Sequence, residues 1–124
     1  MLFRSVLNAI QDSAELNMLH IHGEDIMFDL LASYPVQMVN WHDRLTWPNL
    51  AEGSRRVNRL LVGGIREFRT LRRGSIDAIQ AEIRQAIGQT GGRRLMLGPG
   101  CVVPTDTPEA HIRAAIEALS GEPR

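Results

Sequence analysis

Four short apolar runs, each followed by a stretch patterned like a helix, constrain this chain more than any other feature. The runs are Leu16 to His22, "VQMVNW" at 36–41, "RLLVGG" at 59–64 and "RRLMLGPG" at 93–100. The connections between them run to a dozen residues or more, too long for hairpins. Successive strands must then pair in parallel, with crossover helices covering the sheet, which is an α/β fold built from four βα units.

The helical stretches read individually. Phe3, Val6, Leu7 and Ile10 recur at helical spacing and predict an amphipathic helix ending near Ser13. Glu24 and Asp25 open a second pattern through Ile26, Leu30 and Leu31, which Pro35 must stop. As acids in a first helical turn they read as capping residues, with catalysis the other reading. A loop with Pro48 leads into a third helix over Leu50 to Val57. The clearest helix has Ser75 as N-cap, Ile76, Ile79, Ile83 and Ile87 down one face, and Gly91 as its stop. In the last, Thr107 is the predicted N-cap and Pro108 the first helical residue, with Ile112, Ala115, Ile116 and Leu119 facing inward and His111 on the surface or in packing. A polar tail follows.

With 124 residues, 44% of them hydrophobic, the chain has the size of one domain, residues 1–124. A complete eight-unit barrel takes about 250 residues. Four units are therefore either half of a (β/α)8 barrel or a small open sheet.

Charge excludes some partners. The 14 basic and 14 acidic residues cancel, so nothing steers the protein towards nucleic acid or an anionic membrane. Every basic residue is arginine, which removes any Schiff-base or P-loop lysine from this chain. Cys101 is the single cysteine, so no intrachain disulfide forms. No apolar stretch approaches the roughly 20 residues of a membrane span, and the opening segment, broken by Asn8, Gln11 and Asp12, does not read as a signal peptide. A reducing cytoplasm fits these features.

Chemistry-bearing residues gather where strands end. In "LHIHG", alternation puts His20 and His22 on one face of the first strand. They read either as metal ligands or as histidines bonded within the fold. Zinc in catalytic sites takes three protein ligands and keeps one position open, so a third donor decides between these readings. Cys101 is the candidate, because it follows the fourth strand and the carboxyl ends of parallel strands gather on one side; a buried small hydrophobe is its other reading. "NWHDR" sets Asn40, Trp41, His42 and Asp43 at the end of the second strand. His42 and Asp43 read as a general acid and base pair, as a carboxylate steering a ligating histidine, or, for His42, as part of a polar loop over a buried Trp41. Gly63 and Gly64 either admit substrate close to the backbone or form a tight turn.

Taken in order, "LHIHGED", "VQMVNWHD", "LLVGGI" and "LMLGPGCVVPTDTPEAHIRAAIEAL" resemble the carboxyl-terminal half of the uroporphyrinogen decarboxylase superfamily, from about Asn17 to Leu119. The resemblance implies half of a (β/α)8 barrel. It also implies one of two chemistries: tetrapyrrole decarboxylation in porphyrin biosynthesis, or zinc-dependent methyl transfer between corrinoid proteins and thiols such as coenzyme M. In the methyltransferase branch zinc is held by a His-x-Cys pair and a cysteine in the last glycine-rich turn. The matching residues here are His20, His22 and Cys101, so one cysteine is replaced by histidine, an exchange zinc accepts. The decarboxylase carries a histidine in that turn where this chain has Gly100. The groups that grip its tetrapyrrole belong to the amino-terminal half, outside this sequence.

The leading expectation is a zinc-dependent methyltransferase half, with His20, His22 and Cys101 on the metal. His42 and Asp43 are the catalytic candidates, Trp41, Gly63, Gly64 and Gly100 face a small-molecule substrate, and a corrinoid protein is one candidate partner. Decarboxylation is the second expectation. The third is a non-catalytic half-barrel that covers its bare sheet edges by pairing with a second copy, with a separate partner or with a missing amino-terminal half.

Overall fold

A computed structural model of the chain describes residues 2–120; the polar tail at 121–124 lies outside them. Among the described residues four strands form one sheet: β1 (Met18–Ile21), β2 (Met38–Trp41), β3 (Leu60–Ile65) and β4 (Leu95–Pro99). All neighbours pair in parallel and the spatial order is the chain order, as in a segment of a TIM-type barrel. Five α-helices accompany them: α1 (Leu2–Ile10), α2 (Phe28–Leu31), α3 (Leu50–Arg56), α4 (Ile76–Thr90) and α5 (Glu109–Ser120). None is long and apolar enough to cross a membrane.

The core lies between the sheet and its helices. Strand alternation sends Ile21, Val39, Trp41 and Leu61 to this side, where Phe28, Leu50 and Ala86 meet them. A second apolar group joins Ile65 and Leu71 to Ile79 and Ile83 of α4, with Ala115 and Ala118 of α5 against it. The cap predicted for α4 is formed: Ser75 Oγ accepts from the Ala78 amide, and Gly91 ends the helix in the left-handed conformation. Arg44 ties α4 to the sheet, donating to the Gly64 carbonyl at 2.6 Å and the Glu82 carbonyl at 2.7 Å.

Several expectations are corrected. The second helix is one turn, not a pattern opening at Glu24, because Met27 takes a left-handed conformation (φ 47°) directly before Phe28. Glu24 and Asp25 are exposed loop residues and cap no first turn. The last helix begins at Glu109, and its inward residues are Ala114, Ala115 and Ala118, while Ile112, Ile116 and Leu119 stay exposed. Thr107 Oγ1 is buried without a hydrogen-bond partner, so it caps nothing. His111 is half-buried, and its Nδ1 donates to the Leu71 carbonyl at 2.8 Å, pinning α5 to the turn after β3.

That turn, Glu67–Leu71, is a short π-helix absent from the sequence reading. Glu82 organises it from α4 by accepting from the Arg66 amide (3.0 Å), Arg66 Nε (2.8 Å) and Thr70 Oγ1 (2.9 Å). Three charge-assisted donors account for a carboxylate buried in a helix that is otherwise apolar on that face.

Candidate metal centre

The carboxyl ends of all four strands open on one side, and His20, His22, Asn40, His42 and Cys101 meet there. His20 lies on β1 and His22 just past it, both exposed; Cys101 follows β4 and is half-buried. One donor atom from each lies within 4.8 Å of the other two. Tetrahedral zinc, with bonds of about 2.0 to 2.3 Å, needs donors roughly 3.3 to 3.8 Å apart. The donors stand at most about 1.5 Å wider than that, and two imidazoles with one thiol are an ordinary zinc donor set, so the residues fit the ion.

Asn40, the β2 residue in register with His20, is buried beneath this group. Its Oδ1 lies 2.6 Å from His20 Nδ1, and its Nδ2 donates to the Val62 carbonyl at 2.8 Å and to the Pro99 carbonyl at 3.0 Å. One side chain thus touches all four strands.

His42 brings a third ring, its centroid 5.3 Å from that of His22 and 6.4 Å from that of His20. Its carboxylate neighbour is Glu67, with Oε1 3.3 Å from His42 Nδ1, rather than Asp43, which was one of the pairings the sequence offered. The approach has ion-pair distance without hydrogen-bond alignment, so Oε1 is a buried oxygen with no formal hydrogen bond. Glu67 is one residue the sequence reading missed; its signal was a carboxylate two residues past the third strand.

Asp43 turns away from the rim into the sheet. Its Oδ1 accepts from the Gly64 amide at 3.0 Å and fills the space where a Gly63 side chain would stand, 2.4 Å from an added Cβ. Burial raises its pKa from 3.8 to about 6, against the opposing pull of the Gly64 hydrogen bond and of Arg44.

The proposed substrate-facing residues are likewise occupied by protein. Trp41 is completely buried against Phe28 and donates to the Pro48 carbonyl at 2.7 Å. Gly64, at φ 110°, gives way to Ala86 and Leu97, and Gly100 to the backbone and ring of His42. These glycines serve close packing at the strand ends. The open space lies beside them, a cavity of about 450 Å³ lined by His22, Gly23, Glu24, His42, Leu45, Thr46 and Trp47.

Fold and rim together define a barrel segment with a metal-capable cluster at the carboxyl ends of its strands, the usual place for active sites in this architecture. Residues 2–121 match the family described as Uroporphyrinogen decarboxylase (URO-D), and the chain belongs to that family. Among solved structures it resembles a methyltransferase from Methanosarcina mazei, at 24% sequence identity and a TM-score of 0.79, over 94% of this chain and 34% of that one. The chain thus spans about a third of that protein's length. No curated protein matches.

Proposed function

We propose that the chain is the metal-bearing half of a methyltransferase-type member of its family, with a zinc ion held by His20, His22 and Cys101. The observation that carries this reading is the convergence of those three donors within 4.8 Å, from a first strand and a last strand far apart in sequence. The resemblance to the Methanosarcina protein supports the methyltransferase branch, and the histidine in place of a second thiolate leaves the ion more electron-poor. Bound zinc would act as a Lewis acid, lowering the pKa of a thiol or other small nucleophile that takes a methyl group. His22 and His42 would face that nucleophile from the 450 Å³ cavity, Trp47 and Leu45 would offer its apolar part a surface, and Glu67 would hold the His42 ring. Tetrapyrrole decarboxylation draws support from family membership alone.

The same reading makes residues 1–124 one half-barrel, completed by four further βα units on its own chain or on another; a corrinoid protein remains the proposed methyl donor or acceptor. Metal analysis tests the centre. Purified chain should carry zinc near one equivalent, and His22→Ala should lose it. A chain that takes up no zinc even when reconstituted would remove the proposal.

A further inference from the structure

The amide of Asn40 has a single consistent orientation. Its Nδ2 faces two backbone carbonyls, Val62 at 2.8 Å and Pro99 at 3.0 Å; reversed, the amide would set an oxygen against both. Its Oδ1 must therefore be the atom 2.6 Å from His20 Nδ1, and an amide oxygen only accepts. A neutral imidazole carries one proton, so that proton sits on Nδ1 and the lone pair on Nε2.

We infer that Asn40 is the positioning residue of the metal centre, holding His20 as the Nδ1–H tautomer so that Nε2 faces the ion. Free histidine prefers the opposite tautomer, with the proton on Nε2. An exposed ring such as His20 would follow that preference without a partner. The neighbouring His22 and His42 rings, at centroid distances of 6.1 and 6.4 Å, show no hydrogen bond to it that would set the proton. Because the carbonyls that orient Asn40 belong to β3 and β4, the aim of a ligand on β1 is fixed by the other side of the sheet. This inference rests on the metal reading above, but its first readout does not need the ion.

That readout is nitrogen-15 NMR of the histidines in the metal-free, full 124-residue chain, in alkaline buffer so that the tautomer of the neutral ring is read. His20 is assigned by the signal lost in His20→Gln. It should appear as the Nδ1–H tautomer; an Nε2–H spectrum overturns the inference. Zinc competition titrations then compare Asn40→Asp with Asn40→Leu. Both variants withdraw the donors from Val62 and Pro99, and only the aspartate keeps an acceptor for His20. Asn40→Leu should weaken zinc binding about 10- to 100-fold, the usual effect of losing a partner behind a ligand, while Asn40→Asp stays near wild type. Equal losses would assign Asn40 a purely structural part and overturn the inference while leaving the zinc site standing. A wild-type chain that binds no zinc overturns the site and, with it, the positioning role. Should both variants fail to fold, the wild-type spectrum decides.

Discussion

The two faces of this sheet are made by alternate residues of the same strands, yet they are finished to different degrees. On the helix side Val39, Trp41 and Leu61 are fully buried. On the other, Met18 is 53% and Met96 47% exposed, flanking the histidine and asparagine of the rim. The covered face is closed by the helices packed against it. The bare face carries the candidate metal ligand His20 and the apolar surface that a complete barrel would enclose. The contrast teaches that this barrel segment contains a closed core and an uncovered interior surface.

Substitutions can break or sharpen that contrast. The largest effect belongs to Trp41→Ala, which should cost about 3 to 5 kcal/mol in chemical denaturation, because a fully buried ring leaves a cavity its neighbours cannot fill. A loss under about 1 kcal/mol would mean the covered face is less finished than described. Asp43→Asn should do the reverse and stabilise the chain by up to about 3 kcal/mol at neutral pH. The aspartate's folded pKa, about 6, lies above its ordinary 3.8, so the folded state binds the proton more tightly. In that interval stability falls as pH rises, and it levels off above about pH 6. Denaturation curves of the variant should lack this slope and match wild type near pH 4; an unchanged slope would contradict the buried carboxylate. Ser75→Ala should remove about 1 kcal/mol by uncapping α4. The smallest effect is expected on the bare face: Met96→Ala should cost less than about 1 kcal/mol in this chain, since half of the side chain is already in water. Repeating that measurement in a chain or complex that supplies the proposed further βα units should raise the cost, and no rise would argue against burial of this face.

The covered face was also the more legible in the sequence. Its strands follow from apolar runs, and α4 from a four-residue isoleucine repeat framed by Ser75 and Gly91, because burial and capping are local and periodic. The three metal-capable residues were legible for a related reason: parallel strands must end together, so motifs at strand ends share a rim. What escaped depended on register or on irregular backbone. Asn40 acquires its role only when β2 is aligned residue for residue with β1, and no spacing within a single strand states that alignment. Glu67 reaches His42 because the chain after β3 makes a π-turn, for which the sequence gives no periodic sign. The inward aim of Asp43 had the same obscurity: a carboxylate at a strand end looks available for chemistry until the glycine beside it is seen to leave the space that it fills.

In the sheet, β1 and β4 are opposite edges. Laid flat, three strand spacings of about 4.8 Å would hold those edges some 14 Å apart, yet donors from the two edges come within 4.8 Å of one another. An ion seated there would act as a clasp across an open hoop, and its grip would report how tightly the hoop is bent. Any event that relaxes the arc would loosen the clasp long before a strand came undone.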